Sequence, residues 1–408
     1  MSDTEPDSLF TSVTRDSHIN LSIGAPGTSL LSQVSPMFSE GCADVMSGDL
    51  SLFQYGPEAG TRQYRRELSQ FLSSRYQGPV DPEELVLTTG ATNGLHLTVS
   101  CLVKRGGIVF CENPTYFIAL DILKNDLGLE VIPVDIVEGG IDTESLETKI
   151  QSAAERRKEE KEKDGRYWGV YYTIPTLHNP TGITFSKAVS VRIVELSRKY
   201  NILVICDDVY NLLSYSSKPA PRLKSLDMDG NIISNGTFSK ILCPGVRLGW
   251  LEAPLKLACK LKQSGILLSS GSQNNLMSGL VTSLLRSGAL ATNLDSALDI
   301  YRERMEAALD CLTQLSSDWK VNNPRGGYFL WVTNCAGVDL DSFCSWLERE
   351  KAVTVLRGWK ASPFTYLGQS NQTTSCRQSF RLSIAYYEKE YIVKACNTIC
   401  DAIREYFG

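Results

Sequence analysis

The chain has 408 residues, 42% of them hydrophobic and 21% charged, and its net charge at pH 7 is −5. This length suits one large and one smaller domain, and the acidic balance argues against a nucleic-acid-binding protein, which needs a basic face for phosphates. No apolar run approaches the roughly 20 residues that span a membrane, and the acidic N-terminus has no targeting signal, so we expect a cytoplasmic protein.

Strand-sized apolar runs alternate with helix-like stretches, such as those at 92–103 and 187–199, through the middle of the chain. Most of these runs do not alternate apolar with polar residues, so we expect their strands to be buried on both faces. The alternation of strand and helix predicts an α/β fold whose large domain has a mostly parallel seven-stranded sheet flanked by helices. The seven runs lie at 85–87, 108–110, 131–134, 168–172, 202–205, 232–233 and 248–251.

Helical patterns with a few strands dominate from about residue 271, which predicts a smaller α+β domain at the C-terminus. We therefore divide the chain into an N-terminal segment at 1–45, a large ligand-binding domain at 46–270 and a small domain at 271–408. The N-terminal segment has too little apolar periodicity to fold alone. The mixed charge run at 155–164 is expected to be a solvated helix end or loop.

Twelve cysteines and three histidines show no metal-site spacing. No cysteine pair has the C-x-x-C spacing, and His18, His96 and His178 are scattered along the chain. We expect buried, reduced thiols and no metal ion.

Ligands of parallel sheets bind beyond the carboxyl ends of the strands, and the run after the predicted strand at 232–233 is rich in polar groups. Burial there disfavours the ammonium form of Lys240, which suits an amine that attacks a carbonyl group. The hydroxyls of Thr237 and Ser239 with the guanidinium of Arg247 suit a phosphate. Taken alone, this run could also be explained by a surface lysine and a structural salt bridge.

Two other predicted strands also end in polar residues. Asp207 follows the run at 202–205, and a buried carboxylate there stays charged only beside a cation, such as a pyridinium nitrogen. For Asp208, the alternative interpretation is that its side chain caps the next helix. Asn179 lies in an Asn-Pro-Thr-Gly turn signal, where its amide suits a phenolate oxygen, although a plain turn explains the pattern as well.

The first predicted strand leads into Thr88-Thr89-Gly90-Ala91-Thr92, a small-residue turn that opens a helix. Such a turn exposes backbone N–H groups to an anion, although many turns between a strand and a helix look the same. Tyr116 follows the run at 108–110 and suits stacking on a planar ring, with plain packing as its alternative.

Taken together and in this order, these motifs resemble the class I/II aminotransferases of the aspartate-aminotransferase fold, the fold type I pyridoxal-phosphate enzymes. The resemblance covers nearly the whole chain and is closest to the 2-aminoadipate/kynurenine aminotransferase-like branch. Its motifs are Tyr55-Gly56 with Gly60, the Gly90 turn, Asn113-Pro114-Thr115-Tyr116, Asn179-Pro180-Thr181-Gly182, Asp207 with Tyr210, Ser239-Lys240 with Arg247, Gly326-Gly327-Tyr328-Phe329 and Phe380-Arg381-Leu382-Ser383.

The resemblance implies a role for each position around the ring of pyridoxal 5′-phosphate. Lys240 holds the cofactor as a Schiff base and moves protons between the substrate Cα and the cofactor C4′. Asp207 pairs with the pyridinium nitrogen, Asn179 and Tyr210 hold the phenolate oxygen, and Tyr116 stacks on the ring.

The resemblance also assigns the phosphate and substrate contacts. Arg381 clamps the substrate α-carboxylate, assisted by Asn179, and the N-terminal segment with Gly24 packs on the small domain and closes over the substrate. Tyr55 reaches the phosphate of the neighbouring subunit, which implies a homodimer. The phosphate is otherwise held by the backbone amides of Ala91 and Thr92, the hydroxyls of Thr237 and Ser239, and Arg247.

Three departures from the family pattern leave specificity open. Ala91-Thr92 stands where many relatives carry Ser-Gln, and His178 stands where glutamine is common. The loop at 357–364 lacks the usual Pro-Gly, and Arg357 within it is a candidate partner for a distal substrate carboxylate.

The leading hypothesis is a transaminase that moves an amino group between an L-amino acid and a 2-oxo acid. The same lysine, aspartate and arginine also serve an elimination lyase, a cyclase or an oxygen-dependent oxidase that acts on an amino acid, so the motifs do not separate these reactions. A ligand-sensing domain of a bacterial regulator is a third reading. It requires an N-terminal DNA-binding domain, and the roughly 45 residues before the Tyr55 region are too few for one and are not basic.

Overall fold

The computed structural model describes residues 18–48, 50–156, 165–216, 218, 222–227, 230–271, 273–369 and 372–408. The first 17 residues of the N-terminal segment and positions 157–164 of the charge run lie outside the described residues. Within the described part, no helix is long and apolar enough to cross a membrane.

Helices and strands alternate along most of the described chain. The α-helices are α1 (Thr28–Ser32), α2 (Val34–Ser47), α3 (Arg62–Tyr76), α4 (Ala91–Leu102), α5 (Phe117–Leu120), α6 (Thr143–Arg156), α7 (Lys187–Tyr200), α8 (Leu223–Leu226), α9 (Leu255–Lys262), α10 (Gly265–Ser270), α11 (Asn275–Arg286), α12 (Ala289–Leu312), α13 (Asp341–Lys351), α14 (Pro363–Tyr366), α15 (Thr374–Arg377) and α16 (Lys389–Phe407). The β-strands are β1 (Ile19–Asn20), β2 (Leu85–Thr88), β3 (Val103–Asn113), β4 (Glu130–Val137), β5 (Gly140–Ile141), β6 (Tyr167–Thr173), β7 (Leu203–Asp207), β8 (Ile232–Thr237), β9 (Gly249–Glu252), β10 (Trp319–Val321), β11 (Phe329–Asn334), β12 (Val353–Thr354), β13 (Leu356–Arg357) and β14 (Ser379–Ser383).

The large sheet of the described residues has eight strands in the order β2-β9-β8-β7-β6-β3-β4-β5. Strands β4, β3, β6, β7 and β8 are parallel, and β9 runs antiparallel between β8 and β2. The predicted α/β fold with a mostly parallel sheet is therefore confirmed, and each of the seven predicted runs forms one strand. The eighth strand, β5, has only two residues and pairs antiparallel with β4 at the edge of the sheet, so no apolar run in the sequence predicted it.

The sheet is buried on both faces, as the continuous apolar runs predicted. Every residue of β2, β7 and β8 is buried. Along β6, Tyr172 packs in the hydrophobic cluster on one face and Tyr171 in the cluster on the other, because successive side chains of a strand point to opposite sides. Core packing on both faces fixes the direction of each side chain at the strand ends.

A second sheet lies in the C-terminal part and has the order β10-β11-β14-β13 with antiparallel pairing. Strand β1 pairs with β12 in parallel, and the Leu21 carbonyl oxygen accepts a hydrogen bond from the Ser383 N–H at 2.8 Å. These pairings bring the residues after β1 next to β14, which carries Arg381. The three-part division of the chain stays a prediction.

Candidate active site

The predicted site residues converge where β6, β7 and β8 end. Asp207 is the last residue of β7, Asn179 lies in the loop after β6, and Lys240 follows β8 by three residues. The parallel pairing of β7 with β8 sets Asp207 opposite Asn235, so the strand ends open into one common space.

Lys240 carries an amine whose surroundings favour its neutral form. Its Nζ donates a hydrogen bond to the Gly24 carbonyl oxygen at 2.8 Å and lies 5.9 Å from the centre of the Tyr210 ring. Burial and the nearby cation Arg381 together lower the pKa of Lys240 to about 8, against the opposing charge of Asp207. A lysine with this pKa has a much larger neutral fraction at neutral pH than an exposed lysine, as a nucleophile or proton acceptor requires.

Asp207 is a buried carboxylate held on both oxygens. Its Oδ2 accepts a hydrogen bond from the Tyr172 hydroxyl at 2.7 Å, and its Oδ1 accepts one from Asn235 Nδ2 at 3.3 Å. Burial raises the pKa of Asp207 to about 6, although the Tyr172 hydrogen bond and the charge of Lys240 oppose the rise. The carboxylate is therefore ionised at neutral pH, and a protonated ring nitrogen would supply the cation that such a buried charge requires.

Arg381 presents an incompletely paired guanidinium in the same space. Its Nη1 donates to Asn179 Oδ1 at 2.7 Å and its Nη2 to the Ser22 carbonyl oxygen at 2.6 Å, but its buried Nε has no hydrogen-bond partner among the described residues. Its central carbon lies 4.0 Å from the centre of the Phe329 ring. Burial lowers the pKa of Arg381 to about 10, so it stays cationic at neutral pH and suits a carboxylate.

Two tyrosines line the space as neutral hydroxyl donors. Burial raises the pKa values of Tyr116 and Tyr210, and the charges of Asp207 and Arg381 act on both hydroxyls. Tyr210 is held edge-on, with 5.4 Å between its ring centre and that of Phe329. Both predicted aromatic residues thus lie near enough to the predicted ring-nitrogen partner and to the predicted carboxylate partner for these charges to act on their hydroxyls.

The predicted phosphate contacts lie together at the start of α4. Thr237 Oγ1 donates to Ser239 Oγ at 3.0 Å, and Arg247 Nη1 donates to the same Ser239 oxygen at 3.4 Å. Gly90 has a φ of +93°, and a Cβ there would lie 3.0 Å from Arg247 Nη2, so a side chain would crowd the guanidinium.

The start of α4 also has backbone N–H groups that can bind an anion. The helix begins at Ala91 without a side-chain cap, which leaves N–H groups of its first turn for a ligand. A cavity of about 500 Å³ opens beside this turn and is lined by Thr89, Thr92, Asn93, His96, Ile122, Asp126 and Arg247. This donor set, with hydroxyls, a guanidinium and a helix start, fits a phosphate.

Three singled-out residues lie outside this constellation. Tyr55 is 79% exposed on the surface of the single chain. Arg357 already has acidic partners, Asp341 at 3.0 Å and Glu348 at 3.8 Å. His178 directly precedes Asn179 and is fully buried, and burial lowers its pKa to about 3 and keeps it neutral.

Two residues that hold Asp207 were not singled out from the sequence. Tyr172 lies in an apolar run, where the pattern indicates only a strand. Asn235 is fully buried in β8, and a buried polar side chain within a strand requires partners, which was a signal available in the sequence.

Comparison with known proteins adds independent information. Residues 17–399 match the family described as aminotransferase class I and II. Aromatic-amino-acid aminotransferase 1 of Thermococcus litoralis is 30% identical over 356 residues, which cover 86% of this chain and 80% of that protein. The mouse mitochondrial kynurenine/alpha-aminoadipate aminotransferase is 30% identical over 336 residues, or 77% of this chain and 76% of that protein. The crystal structure of Pyrococcus horikoshii kynurenine aminotransferase in complex with PMP superposes with a TM-score of 0.83 and 25% identity, covering 96% of this chain and 92% of that one.

Proposed function

This chain belongs to the class I and II aminotransferase family, and we propose that Lys240 is the residue through which it carries out transamination. As a member of that family it uses pyridoxal phosphate and moves an amino group between an amino acid and a 2-oxo acid. The observation that supports Lys240 is its position: a part-buried amine with a pKa near 8, placed among Asp207, Arg381 and Arg247.

Each of these residues then has a defined part in the reaction. When bound, pyridoxal phosphate supplies an electron-withdrawing ring that takes up the electrons released when the substrate Cα loses its proton. Lys240, in its neutral form, anchors the cofactor, accepts the Cα proton and returns a proton to complete the transfer. Asp207 keeps the ring nitrogen protonated, and Arg381 holds the substrate carboxylate so that the Cα–H bond faces the amine.

The remaining site residues bind and orient. With the cofactor bound, Asn179 and Tyr210 would donate to its phenolate oxygen, and Tyr116 would cover the ring face. Gly24 lies beside the amine and the Ser22 carbonyl oxygen contacts Arg381, so residues 22–24 of the proposed N-terminal segment border the substrate site. The backbone of Ala91 and Thr92 and the side chains of Thr237, Ser239 and Arg247 would hold the phosphate.

For the substrate, we propose an amino acid with an aromatic side chain, kynurenine included. The names of the relatives point to aromatic amino acids, kynurenine and aminoadipate. Among these, a substrate with a second carboxylate needs a free cation, and Arg357 is already paired with Asp341 and Glu348. An aromatic side chain carries no negative charge and needs no such cation.

The half-reaction over a panel of amino acids tests this function. The holoenzyme mixed with phenylalanine, tyrosine or kynurenine, without a 2-oxo acid, is expected to convert to its pyridoxamine form, followed by absorbance. With 2-aminoadipate we expect conversion at least about tenfold slower, because a distal carboxylate would lack one charge-assisted hydrogen bond. Release of ammonia or uptake of oxygen in place of this conversion would favour the lyase or oxidase reading.

We also propose a homodimer in which Tyr55 completes the phosphate site of the partner subunit. Tyr55 is exposed, and so are the large apolar side chains of Met46, Leu50 and Phe53, which lie within ten residues of it in the chain. Several large apolar side chains exposed in one stretch of chain favour a protein interface there. All twelve cysteines are free thiols, which supports the proposed cytoplasmic location.

A complementation experiment tests the shared site. Tyr55→Phe removes one hydroxyl contact to phosphate, so we expect cofactor binding about tenfold weaker. When Tyr55→Phe and Lys240→Ala chains are refolded together, half of the mixed dimers' sites combine an intact Lys240 with an intact Tyr55. These sites should bind cofactor with wild-type affinity. Cofactor binding that stays weak in the mixture would contradict a site shared between subunits.

A further inference from the structure

Two side chains outside the family motifs hold the carboxylate of Asp207. We propose that Tyr172 and Asn235 are positioning residues: they fix the orientation of the Asp207 carboxylate, and Asn235 also ties it to the first turn of α4. The proposal rests on the proposed role of Asp207 as the partner of the cofactor ring nitrogen.

Tyr172 supplies the stronger of the two contacts. Its hydroxyl lies 2.7 Å from Asp207 Oδ2, and both side chains are buried. Burial and the adjacent Asp207 charge raise the pKa of Tyr172 well above its usual value, so its hydroxyl is a permanent donor. A hydrogen bond from a neutral donor to a buried carboxylate is short and strong, so it defines which lone pairs of Asp207 remain for a ligand.

Asn235 links the two ends of the cofactor site. Its Nδ2 lies 2.9 Å from the Ala91 carbonyl oxygen in the first turn of α4 and 3.3 Å from Asp207 Oδ1. Helix α4 approaches closely at Gly94, where a Cβ would lie 2.3 Å from Asn235 Oδ1. The Asn235 amide therefore links Asp207, the proposed partner of the ring nitrogen, to the proposed phosphate-binding turn at Ala91. This link fixes the distance between the two.

The charged and titratable groups around Asp207 determine how cofactor binding depends on pH. Asp208 raises the pKa of Asp207, whereas Lys240 and the Tyr172 hydrogen bond lower it. Tyr116 faces the same carboxylate. Burial raises the pKa of Asp207 to about 6, so the carboxylate needed by a ring nitrogen is lost as pH falls through that value, whereas Lys240 gains its proton at a higher pH, near 8.

The experiment is titration of the cofactor-free chain with pyridoxal 5′-phosphate across pH, followed by absorbance. In Tyr172→Phe, which keeps the ring and removes the hydroxyl, we expect the dissociation constant to rise about tenfold, since hydrogen bonds to charged groups are the stronger kind. The lower of the two pH-dependent steps in binding, the one assigned to Asp207, should also move upward by about one unit, because Asp207 loses a contact that favours its ionised form.

Tyr171→Phe is the matched control on the same strand. The Tyr171 hydroxyl makes an equally short bond, 2.7 Å, to Glu112 Oε1, and both residues are fully buried on the opposite face. We expect this variant to lose comparable thermal stability but to keep both the wild-type affinity for pyridoxal phosphate and its pH dependence. A general loss of packing would instead change the two variants alike.

Asn235→Ala provides a second, independent test. It removes the amide that joins Asp207 to α4, so cofactor binding should weaken even if Tyr172→Phe fails to fold. The proposal is overturned if Tyr172→Phe and Asn235→Ala both bind pyridoxal phosphate as tightly as the wild type, or no more weakly than Tyr171→Phe. A wild-type chain that binds no pyridoxal phosphate would instead overturn the proposed function of the site.

Discussion

A Lys240→Ala chain is expected to lose the covalent cofactor absorption and at least about 10⁴-fold of the half-reaction rate with an aromatic amino acid. Removing a positioned acid–base group alone typically costs 10²- to 10⁴-fold, and this variant also loses the amine that anchors the cofactor. The burial that lowers the pKa of Lys240 to about 8 makes its neutral form available at neutral pH. The amine also contacts the Gly24 carbonyl oxygen, which places it at the border of the substrate site.

Lys187→Ala is the control for this experiment. Lys187 is exposed at the start of α7, and its loss should leave both absorption and rate unchanged. A small external amine should restore part of the proton transfer in Lys240→Ala. It can enter the space that the lysine side chain leaves beside the Gly24 carbonyl oxygen and accept the proton there. If Lys240→Ala kept the absorption of a covalent lysine adduct after dialysis, another lysine would have to be the anchor.

The large sheet was predictable because strands that are buried on both faces are continuous apolar runs in the sequence. Each of the seven apolar runs became one strand, and polar residues at their ends, such as Asp207 and Lys240, came together. That convergence follows from parallel strands, whose carboxyl ends share one edge. The two-residue strand β5 has no such run, since it depends on pairing with β4 rather than on its own composition.

Contacts between residues that are far apart in the chain could not be predicted from local sequence patterns. Asp208 had a helix cap as its alternative, but its side chain is buried and accepts a hydrogen bond from the Ser234 hydroxyl on β8. Arg357 was a candidate for a substrate carboxylate, yet it lies against Asp341 at the start of α13. In both cases the partner is fixed by how strands and helices pack, and sequence spacing carries no information about it.

An Arg381→Leu chain is expected to lose roughly 10³-fold in kcat/KM for α-amino acids. Breaking a buried, hydrogen-bonded charge pair costs about 2–5 kcal/mol, and here the substrate carboxylate would be left without its cation. The guanidinium is suited to this contact, because its Nε is buried without a partner among the described residues while Nη1 and Nη2 are held by Asn179 and Ser22. Arg381→Lys keeps the charge but not the planar fork, so an intermediate loss is expected.

Two comparisons separate a carboxylate contact from a structural one. Arg377→Leu removes a nearby arginine that pairs with Asp339 at 3.0 Å on the surface, and it should leave kcat/KM within about twofold, since exposed ion pairs contribute little. An aromatic amine that lacks the α-carboxylate offers Arg381 no partner, so its slow conversion should be nearly the same in wild type and Arg381→Leu. If Arg381→Leu slowed the amine as much as the amino acid, the main contribution of Arg381 would be to hold Asn179 and Ser22 in place rather than to bind the carboxylate.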